Sequence, residues 1–388
     1  MKNCVGQVVR GSDFWNRTTE LETIWDAIDS GSHILLVAPR RVGKTSIMHK
    51  IKDEPKDGHI VIYIDTESAD TENEFWHKLF NTMMEEEFVN KLMSKSKVLY
   101  EKLTNIKIIK VSVSGVEFGD GETLDYSIAF ESLVRDLEID KKLIIMIDEF
   151  AQTIENIIKY EDVKNANSLL KAHRALRQNP KVSEKVTFIY AGSIGLESVV
   201  SKISAIKIIN DLNSIKVLPL SKSEAFKFVS ALCSSVKIIL EENVIHYLLE
   251  KIEWLIPFYI QLLIQELKTL SRIDISCPLD STMVDEAMDK ALEHRNYFES
   301  WQTKLRESFS KEEYLFAKDV LNIMSQESTM QSSQIINIGA KHSLDEDEAK
   351  DMIRTLVYDG YINNNEDNKV YRYNSPILRQ WWNKNVAN

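Results

Sequence analysis

Residues 36–50 read LVAPRRVGKTSIMHK, and Gly43, Lys44 and Thr45 within them are the residue types a triphosphate asks of a chain. A phosphate chain carries dense negative charge. Backbone N–H groups in a tight loop, aimed from a helix N-terminus, meet that charge without side-chain entropy. Gly43 permits close approach, Lys44 brings a point charge to the β and γ phosphates, and the Thr45 hydroxyl suits magnesium. The pattern G-x-x-x-x-G-K-[ST] ordinarily opens on glycine, where this chain has Ala38. That glycine mainly eases the turn out of the strand, and alanine obstructs it only where φ is positive. Pro39 removes one donor and biases Ala38 toward extended geometry, which alanine accepts. The loop is expected to be rebuilt rather than dead, with Pro39, Arg40, Arg41, Val42, Gly43, Lys44, Thr45 and Ser46 around the phosphates.

About a hundred residues later, LIIMIDEF runs an apolar strand into Asp148 and Glu149. Ligands of parallel sheets bind beyond the carboxyl ends of the strands. Asp148 there would hold magnesium through water, and Glu149 would orient and deprotonate an attacking water. The plainer reading is an exposed acidic pair opening a helix. In YAGSIGLE, Ser193 suits a hydrogen bond to the γ-phosphate or the lytic water, although Gly-Ser-x-Gly is also ordinary turn chemistry. Arginine can neutralise transition-state charge. Arg40 and Arg41 inside the loop, and Arg174 and Arg177 at i and i+3 in KAHRALRQNP, are candidates against a reading as solvated or ion-paired surface. The histidines, His173 among them, show no metal-ligand spacing.

The elements that must position these residues alternate. HILLV (33–37), HIVIYID (59–65), KKLIIMID (141–148), KVTFIYAG (185–192) and the shorter SIKVLPL (214–220) are near-continuous apolar runs separated by helical patterns. Such runs predict a parallel α/β sheet covered on both faces, with right-handed crossovers. Residues 106–119 alternate polar and apolar positions, like a hairpin or edge insertion. From Ser221 to about Phe309 the pattern is helical, with starts at Ser221, Glu241 and Pro257. Helices over 312–326, 332–341 and 345–360 follow, the last with acids in its first turn and a terminal glycine. Two short strands around the polar turn in YINNNEDNKVYRYN and a final helix complete a winged-helix pattern.

The chain has 388 residues and a net charge of -11, which argues against a protein built to coat nucleic acid or an anionic membrane. Cys4, Cys233 and Cys277 show no CxxC spacing, which fits a reducing cytoplasm rather than a disulfide or zinc framework. The longest apolar stretch, 254–264, is about half a membrane span and contains proline.

Together VAPRRVGKTSI, IMIDEF, YAGSIGLE and VLPLSKSEAFKF resemble the archaeal-type P-loop ATPases of the STAND class, the signal-transduction NTPases related to AAA+ and origin-recognition ATPases. The resemblance implies an ATPase domain over 1–220, a helical lid over 221–309 and a winged-helix-like domain over 310–388. It also implies ATP and Mg2+ as cofactors, ATP rather than GTP resting on the resemblance alone. RGSDFWNRTTEL is similar to the entry motif that closes over adenine, making Phe14, Trp15 and Arg17 base-pocket candidates, with Asn16 where glycine is usual. Pro257 and Tyr259 fall at the lid motif, where the usual glycines and a following arginine are missing. The function implied is a slow ATP-hydrolysing switch that reports its nucleotide state to a protein partner, with a nucleotide-dependent homo-oligomer expected. The alternatives are an ATP-dependent DNA-binding protein of the origin-recognition or transposition-helper kind and a non-hydrolysing scaffold. Residues 311–388 hold nine Lys or Arg against twelve Asp or Glu, a net of -3, and SSQIINIGAKH holds one lysine and no arginine, a poor footprint for duplex.

Overall fold

The computed structural model describes residues 1–95, 111–112, 115–116, 125–192, 195–273 and 279–387. The chain forms two compact units, one of Arg17–Val37 and Ile47–Lys216, the other of Met1–Asn16, Ala38–Ser46 and Val217–Asn388.

The first unit is built on a sheet. Its strands in chain order are β1 (Ile34–Val37), β2 (His59–Asp65), β3 (Val111–Ser112), β4 (Gly115–Val116), β5 (Lys142–Asp148), β6 (Val186–Ala191) and β7 (Asn213–Lys216). Five of them form one sheet, in the order β2-β5-β6-β1-β7. Every pairing is parallel. The remaining two, β3 and β4, pair antiparallel with each other, inside the stretch expected as a hairpin. The helices Glu72–Glu85, Tyr126–Asp136, Phe150–Tyr160 and Val163–Gln178 bury Phe75, Trp76, Leu79, Phe130, Leu133, Ile154 and Leu169 in one core with β5. Leu143, Ile145 and Ile147 face this core, and Ile144 and Met146 on the opposite face are equally buried, which is why β5 reads as an unbroken apolar run. The last strand is shorter than expected. It lies at the sheet edge and stops before Val217, two residues ahead of Pro219, which has no N–H to give a ladder.

Arg174 and Arg177 share a helical face as their spacing predicts, but that face is neither solvated nor free to act as a finger. Arg177 is only 4% exposed. Its Nε and Nη2 donate to the two Asp211 carboxylate oxygens at 2.8 and 3.0 Å, Nη2 donates also to the Ile208 carbonyl, and Nη1 donates to the Tyr190 hydroxyl at 3.2 Å. Half-buried Arg174 donates to the Lys207 carbonyl. His173 Nδ1 lies 2.9 Å from the Tyr190 hydroxyl, and its ring stacks on Trp76. His33 Nδ1 accepts from the Phe188 N–H, so its Nε2 donates to the Arg177 carbonyl. His33 and His173 are structural, tying the helix Val163–Gln178 to β1 and β6.

In the second unit, Ser221, Ser310 and Asp345 each form a capping box, opening the helices Lys222–Val236, Lys311–Glu327 and Glu346–Tyr358. Between them run Glu242–Ile252, Pro257–Ile273, Ser281–Ala291, Arg295–Glu307 and Ser332–Lys341, and Pro376–Asn385 ends the unit. Three short strands, β8 (Thr329–Gln331), β9 (Ile362–Asn363) and β10 (Val370–Tyr373), form an antiparallel sheet in the order β8-β10-β9. β8 is not foreshadowed in the sequence, because three residues are too few to show alternation. Trp381 and Trp382 are buried, Trp381 stacking on Phe298 at 5.6 Å, while the Tyr361 hydroxyl donates to the Trp301 carbonyl at 2.7 Å. Among the described residues, no helix is long and apolar enough to cross a membrane.

Two outcomes follow from the buried network. Replacing Arg177 by Met should destabilise the protein in urea unfolding toward the low end of about 3–5 kcal/mol, because Asp211 keeps some contact with water. Burial holds the His33 and His173 imidazoles below their ordinary range, His173 most strongly. The unfolded imidazoles take up protons below about pH 6.5 and the folded ones do not. Stability should therefore fall on acidification from about pH 6.5, by up to about 1.4 kcal/mol per pH unit for each imidazole. Thermal melting between pH 7.5 and 5.5 measures it, and an unchanged Tm would contradict it.

Candidate nucleotide site

The strand β1 feeds the loop, and the helix Lys44–Asp53 follows it. The Val42 N–H donates to the Pro39 carbonyl at 3.5 Å, closing a turn. Left-handed backbone occurs at Arg41 (φ 65) and Gly43 (φ 101) but not at Ala38. The loop therefore asks nothing of its first position that alanine cannot give. At Gly43 an added Cβ would meet no atom within 4 Å, so the conformation and not crowding calls for glycine there. Lys44 and Ser46 are buried, Thr45 is half-buried and Val42 is fully buried. The Ser46 hydroxyl accepts from the Val9 N–H at 3.1 Å, which ties the N-terminal segment to the loop.

The loop arginines turn toward protein. Arg40 Nη1 donates to the Ser300 carbonyl at 3.1 Å, with the Trp301 ring 5.7 Å from its guanidinium. The Arg41 guanidinium lies 4.1 Å over the Phe258 ring and 5.7 Å from that of Tyr297. Pro257 opens its helix at the first position, where a missing N–H leaves no intrahelical bond unmade. Tyr259 is fully buried, and burial pushes its phenol up to about 12.

The base-pocket candidates fall in different units. Half-buried Phe14 caps the short turn Gly11–Asp13, and Trp15 packs 5.3 Å from Phe228. Arg17 belongs to the sheet unit, where it is buried and paired with Glu20 at 2.6 Å.

At the other acidic position, β5 ends on Asp148, which is 1% exposed. Its Oδ2 accepts from the Tyr63 hydroxyl at 3.1 Å and its Oδ1 from the Glu149 N–H at 3.0 Å. Thr66, just past β2, donates through its N–H and hydroxyl to the Asp148 carbonyl at 3.1 and 3.0 Å. The Thr153 hydroxyl donates in turn to the Thr66 carbonyl at 2.8 Å. Burial, and then the Asp148 charge, pushes the Tyr63 phenol well above its ordinary range, so it remains a donor. Glu149 has left-handed backbone (φ 56) immediately before the helix Phe150–Tyr160, a conformation that a non-glycine residue adopts only when its surroundings impose it. Sequence reasoning missed Tyr63 and Thr66. A tyrosine in a strand reads as an ordinary β-former, and only the register that sets β2 beside β5 pairs it with the carboxylate.

The strands β1 and β5 are parallel and separated by β6 alone, so their carboxyl ends emerge at one sheet edge. Ser193, two residues beyond β6, lies outside the described residues. Among the described residues no three His, Cys, Asp or Glu side chains form a metal cage. A magnesium ion that keeps its waters and is shared with phosphate oxygens needs only one or two protein oxygens. A buried carboxylate steadied by a neutral phenol, and a hydroxyl that opens a helix, are donors of that kind.

A family model described as an ATPase domain predominantly from Archaea matches residues 14–268. In structure the chain is similar to a Walker-type ATPase of Pyrococcus abyssi, with a TM-score of 0.67 and 16% identity over 98% of this chain and 99% of that one. It is also similar to the ORC2 protein of Aeropyrum pernix in its ADPNP–ADP complexes, with a TM-score of 0.54 and 11% identity over 96% of each. At such identities the likeness concerns the fold. No curated protein gives a significant sequence match. The chain belongs to the ATPase-domain family found predominantly in Archaea, and the protein is an ATPase.

Proposed function

We propose that this ATPase works as a molecular switch. ATP lies in the loop Pro39–Ser46, with Lys44 on the β and γ phosphates and the loop N–H groups around them. Thr45 and Asp148 hold magnesium, and Phe14, Arg17 and Pro257 meet the base. Glu149 takes a proton from water as its oxygen bonds to the γ-phosphorus and the bond to the bridging oxygen breaks, releasing ADP and phosphate. Ser193 reads the γ-phosphate. The observation that carries this reading is the delivery of a Gly-Lys-Thr loop and an Asp-Glu pair by two parallel strands of one sheet.

The three-part division, with a lid over 221–309 and a winged-helix-like domain over 310–388, is part of the same proposal. The order helix, β8, helix, helix, β9, β10 supports the winged-helix reading. The wing serves protein contact rather than duplex. Arg372 on β10 is already paired with Glu253 at 3.1 Å and Glu366 at 2.9 Å, so this cation is not free for phosphate. A protein partner and a nucleotide-dependent oligomer in the cytoplasm complete the proposal.

Glu149→Gln should retain ATP binding and lower phosphate release by about 100-fold or more. Unchanged release in a malachite-green assay would remove Glu149 from the mechanism. Lys44→Ala should weaken ATP uptake in calorimetry by about 10- to 100-fold, and intact uptake would place the nucleotide elsewhere. The DNA-binding alternative is separated by gel shift with and without ATP. The switch reading expects no retardation at moderate salt, and strong, salt-sensitive retardation would favour the alternative.

A further inference from the structure

Three consecutive loop residues are held by three different parts of the C-terminal half. Pro39 lies where a Cβ on Gly360 would come within 3.6 Å of it and within 3.3 Å of Trp254. Arg40 is bonded to the Ser300 carbonyl beside Trp301, whose own carbonyl accepts from Tyr361. Arg41 stacks on Phe258 and reaches Tyr297, and those two rings meet edge to face at 5.4 Å. A Cβ on Gly6 would stand 3.3 Å from Arg41 Nη1, so the N-terminal segment also closes on this guanidinium. The loop forms one compact unit with Val217–Asn388, although the strand that feeds it belongs to the other unit.

Arg41 has left-handed backbone, which costs a non-glycine residue energy that its surroundings must offset. The face of Phe258, 4.1 Å from the guanidinium, is a favourable contact that can offset it. From these contacts we infer that Arg41 and Arg40 position the phosphate loop by gripping this aromatic surface, and that Phe258 and Tyr297 are positioning residues for the nucleotide. The inference rests on the loop's being the ATP site. A guanidinium stacked on a ring and closed in by Gly6 is not poised as a finger for the γ-phosphate, and it is not solvated surface either. The grip continues inward: Tyr259, next to Phe258, stacks on Phe298 at 6.4 Å, and Phe298 stacks on Trp381 of the last helix at 5.6 Å. Filling the loop with phosphate fixes residues 39–41 and so favours one packing of residues 254–259, 297–301 and 360–361. By linkage, whatever stabilises that packing favours phosphate in the loop.

Hydrogen exchange on the full chain, with magnesium and a non-hydrolysable ATP analogue, tests this. In the wild type the analogue should slow exchange several-fold in 254–262, 295–303 and 358–364. In Phe258→Leu/Tyr297→Leu the analogue should still bind, with KM for ATP raised several-fold, kcat changed little, and the response in 358–364 lost. Half-buried Tyr297→Leu alone should show a partial loss and serves if the double variant does not fold. Calorimetric binding to the wild type with no exchange response, or a full response in the variants, would overturn the grip. So would an Arg41→Lys variant that lost hydrolysis while keeping the response, since that is how a finger behaves. No calorimetric binding by the wild type would instead sink the ATP site itself, and the grip with it.

Discussion

A parallel sheet sends every carboxyl end to the same edge, and that constraint decides where chemistry can sit in this chain. Strand directions are fixed by crossovers, so β1 and β5 end together although their residues are about a hundred positions apart in sequence. Nothing local brings the acidic pair to that edge. The drive is burial of Ile144, Ile145, Met146 and Ile147 on both faces of β5, which carries Asp148 to the strand end whatever its own preference for water. A carboxylate taken out of water must be met by donors. Tyr63 and the Glu149 N–H meet it from one strand over and one residue on.

The readable parts of the sequence were those where one residue decides its own backbone. Ser221 reads as a helix start and is one, with Glu224 closing a capping box on it, and Asp345 opens the helix whose first turn carries acids. β2 was legible to the residue, since HIVIYID is a near-continuous run of β-branched and aromatic residues that ends at Asp65. Ala38 was legible too, because the question was only the sign of φ, and Pro39 answers it. What stayed hidden depends on what lies across from a residue. The spacing of Arg174 and Arg177 says that they share a face, but the face meets Asp211 and Tyr190, and no rule of spacing names those partners. The three residues of β8 carry no pattern of their own and are a strand because β10 is beside them.

Two kinds of polar burial are at work. Around Arg177 every guanidinium nitrogen has a partner, and burial holds the neighbouring imidazoles below their ordinary range, an arrangement that fixes packing. Around Asp148 one donor is a phenol that stays protonated. The proposed role of Asp148 in holding magnesium rests on its place at the end of β5, which sets it apart from Asp211, bound to Arg177.

The phosphate loop joins these arguments. In the proposed site its donors are backbone N–H groups, so its shape matters more than its side chains, and its shape includes left-handed geometry at a residue with a long side chain. Glycine at position 41 would adopt that geometry freely, yet it would give the rest of the chain nothing to hold. An arginine accepts some strain, and its flat cation can rest on a ring contributed by a helix more than two hundred residues away. On this view the loop's departures from the common pattern have one logic: Ala38 is tolerated because nothing there needs φ above zero, while Arg40 and Arg41 are present because the loop is shaped from outside as well as from within.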